Sequence, residues 1–269
     1  MKTKAIIISI VLLGALTACK SQYEMILNSS DAGEKYKYAM ELFEKERYGK
    51  AAELFESLSM LTKGTDQDDT VQFFWGMSNY KYGDYTTAES NFTTFIATFP
   101  LSSFFDEAQY LRLDCMYRGT YRYELDPLPT QKALSAMRVF QMENPSSIYR
   151  EKVFDLIDDL EDRLDMKAYK AAHLYYHMED YLAAHYALKN VLRDNAENRY
   201  REDILYYTAM SAYKYALNSI ADKQKERYME FVDDYLNIIS EYPETKYRKE
   251  LDNLYQKVQK ILKKHEDNG

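Results

Sequence analysis

Three histidines and a run of acids are the first residues in this chain whose types and spacing could do chemistry. His173 and His177 stand four apart, which on a helix puts two imidazoles on one face, and His185 follows nearby. Two imidazoles and a third ligand would suit zinc, but no His-Glu-x-x-His pattern accompanies them, so they are read as core or surface residues. Asp158, Asp159, Glu161, Asp162 and Asp165 could suggest acid–base or calcium chemistry. Calcium needs six or more oxygens converging from a loop, whereas acids at consecutive helical positions fan out, and the group is read as a solvated face. Cys115 lies in an apolar helical stretch and is read as core. No glycine-rich phosphate loop or nucleophile elbow occurs, so no enzyme, metal or diffusible cofactor is expected.

Cys19 points elsewhere. Lys2 and Lys4 precede an apolar run over 5–13 that is too short to cross a bilayer, which takes about 20 residues as a helix. The run ends in Leu16-Thr17-Ala18-Cys19, which resembles the bacterial lipoprotein box, where the cysteine thiol is acylated and the chain is cut just before it. Residues 1–18 then read as a cleaved signal peptide, 19–30 as a lipidated tether and 31–269 as the folded body. Each buried CH₂ of an acyl chain contributes about 0.8 kcal/mol, so several chains on Cys19 would anchor the protein without any span.

Composition bounds what hangs from that anchor. One cysteine is spent on lipid, which leaves Cys115 without a disulfide partner, so the fold rests on its packed core. The net charge is −8, and losing Lys2 and Lys4 with the signal makes the mature chain more acidic still, which disfavours nucleic acid or anionic lipid as main partner. Its 27 tyrosines suit burial against a protein partner, while eight glycines and five prolines leave little material for strands and turns.

The positioning elements are repeats. Tyr85 lies fifteen residues before Pro100, Tyr181 fifteen before Ala196 and Tyr228 fifteen before Pro243, and Thr130 keeps the same frame with Pro145. After each anchor comes a shared junction: Pro100-Leu101-Ser102-Ser103-Phe104, Pro145-Ser146-Ser147-Ile148-Tyr149, Ala196-Glu197-Asn198-Arg199-Tyr200 and Pro243-Glu244-Thr245-Lys246-Tyr247. A helix stops at the first residue, and the Ser, Thr or Asn caps the next. Tyr48 begins the series. The segment from Phe73 to Pro100, with small Gly76 and Ala88, the turn Gly83-Asp84 and fillers Phe92 and Phe95, looks like a tetratricopeptide repeat. Ala39, Ala51 and Phe55, and Ala172, Ala184 and Leu188, fit the same template.

The fold class expected is therefore all-α, a tetratricopeptide-repeat superhelix of about five helix pairs. A loop over 118–130 and a polar, basic, partly helical insertion over 216–227 interrupt the third and fifth pairs, one long helix fills 147–178, and an amphipathic helix after Pro243 caps the stack. On the template Tyr36, Met40, Phe43, Phe73, Met77, Tyr80 and Lys81 turn toward the face of the first helices. Such an aromatic and methionine groove with a cation at one side suits an extended peptide with an aromatic residue and a terminal carboxylate.

Lipobox, repeats, long helix and capping helix together resemble the BamD family, lipoprotein subunits of the bacterial outer-membrane β-barrel assembly machine. Ser21-Gln22-Tyr23 and Lys223-Gln224-Lys225-Glu226-Arg227 make the chain most similar to the versions from Bacteroidetes. The resemblance implies a non-catalytic scaffold, lipid-anchored in the cell outer membrane and facing the periplasm. Its implied partners are the barrel-forming subunit with its periplasmic domains and unfolded outer-membrane protein precursors. A periplasmic repeat lipoprotein coordinating cell division or envelope processes is the alternative. Departures from the pattern, the missing proline of the first repeat and Ala196 in place of another, concern helix termination only.

Overall fold

A computed structural model describes residues 22–267, and the described chain is all-α. The signal peptide, Cys19 and the first tether residues, Lys20 and Ser21, lie outside the described residues. Twelve helices follow among those described: α1 (Gln22–Leu27), α2 (Ala32–Glu44), α3 (Tyr48–Leu61), α4 (Asp68–Tyr82), α5 (Tyr85–Thr98), α6 (Phe105–Arg118), α7 (Leu128–Glu143), α8 (Arg150–His177), α9 (Tyr181–Asp194), α10 (Arg201–Leu217), α11 (Ala221–Glu241) and α12 (Arg248–Asp267). The chain forms two compact units. One comprises the described residues up to Thr120 together with Leu128–Ile157; the other comprises Tyr121–Pro127 and the chain from Asp158 onward.

Both units are tetratricopeptide-type stacks. The first holds the pairs α2/α3, α4/α5 and α6/α7, and the second holds the later part of α8 with α9, the pair α10/α11, and α12. Small residues at the expected positions set the close approach within pairs: Ala39, Ala51, Ala88, Ala133 and Ala184 are fully buried. Gly76 has the strictest need, since a Cβ there would meet Phe92 Cε1 at 2.9 Å. In α12, Leu251 and Val258 are buried against α10 and α11, as a cap requires.

Within each unit the repeats are joined by one recurring lock. Ser102, Ser147, Asn198 and Thr245 each accept a hydrogen bond from the backbone N–H two residues on. Each also reaches an acid on the first helix of the preceding pair. Ser102 Oγ donates to Asp69 (2.7 Å), Ser147 Oγ to Asp106 (2.6 Å) and Thr245 Oγ1 to Glu202 (2.6 Å). Asp165 instead accepts from Asn195 and the Arg199 N–H, and its carbonyl from Asn198. Four residues after each acid stands an aromatic ring, on which the ring closing the junction stacks. The pairs are Phe73 with Phe104 (4.3 Å between centroids), Tyr110 with Tyr149 (4.7 Å), Tyr169 with Tyr200 (5.5 Å) and Tyr206 with Tyr247 (3.6 Å). An i, i+4 pair lies on one helix face, so acid and ring grip the same junction together.

The turns inside the pairs are equally regular. Glu46, Gly83 and Glu179 all take positive φ (58°, 93° and 61°), and the next residue's N–H returns to the carbonyl five positions back: Arg47 to Leu42, Asp84 to Asn79, Asp180 to Tyr175. Asp84 and Asp180 then cap the second helix through Thr87 N–H and Ala183 N–H, whereas Arg47 makes no side-chain cap. Aspartate below its usual range at position 84 follows from the Thr87 backbone and hydroxyl bonds it accepts.

Several boundaries move from the sequence expectation. The long helix starts at Arg150, because Ser147 first makes a turn of its own. The expected insertion over 216–227 becomes the end of α10, a three-residue link and the first two turns of α11. Arg227 secures that link, bonding Ser219 Oγ and lying 4.1 Å over the Tyr215 ring. The loop of the third pair narrows to 119–127, and the Lys167 ammonium grips the carbonyls of Tyr123 (3.0 Å) and Leu125 (2.7 Å).

Candidate functional site

The seven groove residues do not share one environment. Phe73 is a correction: only 2 % exposed, it packs among Phe92, Phe95 and Phe104 and offers no surface to a ligand. An aromatic on the first helix was assigned to the groove by template register, but its ring is the stacking partner of the junction. Tyr36, Met40 and Phe43 are half-buried along the first core cluster, with Phe43 edge-on to Tyr48 (5.3 Å) and Phe74 (5.4 Å). Met77 and Tyr80 are half-buried beside the next cluster, and Lys81 is exposed in the last turn of α4.

Structure adds a polar centre to this face. Tyr80 donates its hydroxyl to Asp114 (2.6 Å), and Arg118 pairs with the same carboxylate one helical turn later. The Arg118 guanidinium lies 5.5 Å over the Tyr80 ring and 5.1 Å over Tyr85. Burial first, and then the hydrogen bond to Asp114, push the Tyr80 phenol above its ordinary range, while the Asp114 bond raises Arg118. Asp114 is 5 % exposed, but the Arg118 side chain keeps 42 % of its surface open, so the cation faces outward from a fixed base. The i, i+4 spacing of Asp114 and Arg118 was visible in sequence; their meeting with Tyr80 and Tyr85, 29 to 38 residues earlier, needed the fold.

The family is decided by the sequence span that builds these repeats. A model of the family described as YfiO, outer membrane lipoprotein, matches residues 28–226. The chain belongs to that family. Among solved structures it is similar to a thermophilic TPR protein of Thermus thermophilus, at 17 % identity over 85 % of this chain and 98 % of that one, with a TM-score of 0.32. No curated protein matches it. The YfiO match runs from the end of α1 into the first turns of α11, so it takes in the half-buried face and three of the four locks. Among the described residues no helix is long and apolar enough to cross a membrane.

Two clefts of this YfiO-family chain occupy the same repeat register, one in each unit. The first, about 240 Å³, lies among α5, α6 and α7 with Thr93, Gln109, Arg112 and Ala136; the second, about 360 Å³, among α9, α10 and α11, places Lys189, Leu205, Thr208 and Asp234 at the matching positions. Asp234 is buried, which raises its carboxyl even though Lys189 (2.9 Å) and His185 (3.4 Å) stand beside it.

Of the remaining sequence candidates, His173, His185 and Cys115 lie in the core, whereas His177 is exposed and the acids line a helix surface. His173 is stacked among Tyr169, Tyr176 and Tyr207, and burial presses its imidazole down to about 4, with His177 adding to the effect. His185 faces the Thr208 carbonyl at 3.3 Å. No group of three metal-capable side chains occurs among the described residues. Cys115 is 2 % exposed and burial pushes its thiol up to about 12. The acids 158–165 are not simply a solvated face: Asp158 pairs with Arg199, Asp162 accepts from Tyr200 and Asp165 holds the junction at Asn198. Periodicity alone placed them on a helix surface; what packs on that surface was non-local.

Proposed function

We propose that this protein is a non-catalytic scaffold of the outer-membrane β-barrel assembly machinery, of the type found in Bacteroidetes. Acylated Cys19 holds it on the periplasmic side of the outer membrane, and it binds the barrel-forming subunit and unfolded barrel precursors. The observation that carries this reading is the YfiO family match over residues 28–226. The lipobox sequence ending at Cys19 supports the anchor, and the half-buried aromatic face supports peptide binding. Tyr36, Met40, Phe43 and Met77 would receive an aromatic side chain, and Lys81 or the open side of Arg118 a terminal carboxylate.

Tagged protein solubilised from the outer membrane tests the reading. It should bring down a barrel-forming subunit carrying periplasmic repeats, and intact-mass analysis should find acyl chains on an N-terminal Cys19. A preparation that retains the lipid but captures cell-division proteins in place of that subunit would refute the assembly role.

A further inference from the structure

We propose that the turn end of the first two helix pairs lies against the bilayer surface, held there by α1 acting as a clasp on the anchor. This rests on the reading that Cys19 carries the lipid. In sequence 19–30 reads as a lipidated tether, and within that span α1 is docked from Tyr23 onward. Tyr23 donates its hydroxyl to Glu53 and its ring sits under the Lys50 ammonium at 4.8 Å. Ile26 is 6 % exposed in the first core cluster. At the other end of α1, Lys35 is buried, and its ammonium donates to the Leu27 carbonyl (3.0 Å) and Ser57 Oγ (2.7 Å). Burial lowers the Lys35 ammonium, so undocking α1 would take away an acceptor that this desolvated cation uses.

These contacts fix direction as well as position. The start of α1 lies beside Lys50 and Glu53, near the beginning of α3, and its end beside Ser57, so α1 presents its first residue to the α2–α3 turn end of the pair. Three peptide steps separate Cys19 from Gln22, a reach of about 10 Å at 3.3–3.6 Å per residue. Met60, at the far end of α3, lies about 15 Å beyond Lys50 along the helix at 1.5 Å per residue. Apolarity alone would choose the far end for the membrane, since Met60, Leu101 and Ile148 there are 78 %, 97 % and 80 % exposed. The short leash overrides that choice, because the anchor reaches the near end and not the far one.

The near end is compatible with a lipid surface. Lys45 and Arg47 stand there beside Glu44 and Glu46, so charges balance, and exposed Tyr82 offers an amphipathic ring suited to headgroup depth. Were α1 released, the leash from Cys19 to Ala32 would lengthen to about 45 Å and either end could meet the bilayer.

The test uses the mature chain with a maleimide-lipid coupled to Cys19, the buried Cys115 thiol being protected. It is bound to phosphatidylethanolamine vesicles containing brominated lipid, with a fluorescent residue at position 46 or 148. Quenching at 46 should exceed that at 148 at least threefold, and equal or reversed quenching would overturn the proposal. Ile26→Asp should bring the two positions within twofold of each other, with Tyr23→Ala as a milder second variant and circular dichroism confirming the fold. A ratio that stays at threefold in both folded variants would also sink the clasp. Since the lipid is added chemically, finding unacylated Cys19 in cells would refute the lipoprotein reading while leaving this result intact.

Discussion

The two units build the same junction lock from different chemistry. In the first, Phe73 and Phe104 stack with no hydroxyl, inside a cluster that also takes in Phe92 and Phe95, and Tyr110 stacks on Tyr149 beside the Lys152 ammonium. In the second, the stacked rings are all tyrosines, and three of the four hydroxyls reach carboxylates: Tyr200 to Asp162 (2.8 Å), Tyr206 to Glu250 (2.9 Å) and Tyr247 to Asp203 (2.5 Å). A common backbone register therefore does not imply a common source of stability. The hydroxyl-to-acid bond is common to both units, but burial dominates the Phe73–Phe104 ring pair, whereas the rings of the second unit add charge-assisted hydrogen bonds of their own and so depend more on protonation.

All four histidines of the chain follow residue 157, and the shifted carboxylates cluster there as well. Hydrogen bonds from Lys246 and Tyr247, working against burial, hold Asp203 below its ordinary range; Arg201 does the same for Glu241, and Tyr235 with Arg248 for Asp252. In the first unit Asp84 is the described acid with a resolved downward shift.

The largest effect expected from breaking this contrast is Phe73→Ala, which removes the shared ring of the apolar lock. It should cost about 3–5 kcal/mol, as fully buried phenylalanines do. Hydrogen exchange should show α4 and α5 losing protection while α10 and α11 keep theirs; uniform loss would mean that the two units unfold as one.

Acid should act in the opposite sense. His173 is neutral in the folded protein with a value near 4 and protonates near 6.5 when unfolded, so the unfolded chain binds more protons between those values. Stability is thus complete above pH 6.5 and falls as pH drops toward 4, by about 2 kcal/mol at pH 5. The depressed carboxylates extend the loss below that range. Exchange measured at pH 7 and pH 5 should show the second unit opening first, and His173→Phe should flatten the upper part of the curve. Equal sensitivity of both units would erase the distinction.

Tyr206→Phe gives a smaller and more local effect. It keeps the ring stacked on Tyr247 and removes the hydroxyl bonded to Glu250, an exposed acid that water can satisfy, so about 0.5–1.5 kcal/mol should be lost. Thermal melts with a matched Glu250→Gln variant would measure the coupling. Additive losses would show that the hydroxyl–carboxylate bond contributes nothing beyond the stacked rings.

Much of the architecture was legible because it is local. Helical periodicity, Pro and Ser/Thr at junctions, and small residues at fixed offsets are properties of neighbouring side chains, and the five pairs and the capping helix follow from them. The misjudged parts depended on partners far along the chain. Phe73 was taken for a groove residue and Asp165 for a solvated acid, although junction residues 31 and 33 positions later, Phe104 and Asn198, claim both. In the fifth pair, polar composition suggested a partly helical insertion, and its helical part proves to be the start of α11 itself, since a solvated helical extension asks only for helix-forming residues and a contact such as Arg227 with Ser219.

By itself the sequence determined the all-α repeat fold and the turn and cap positions, and it supplied the lipobox that motivates the anchor. Those depend on backbone conformation and short-range periodicity, which neighbouring residues dictate. Only the tertiary structure decided that Tyr80, Tyr85, Asp114 and Arg118 form one centre, that each junction is gripped by an acid and a ring, and that α1 is docked on the first pair. Such groupings arise when packing brings distant segments to within a few ångströms, a distance that no spacing along the chain encodes.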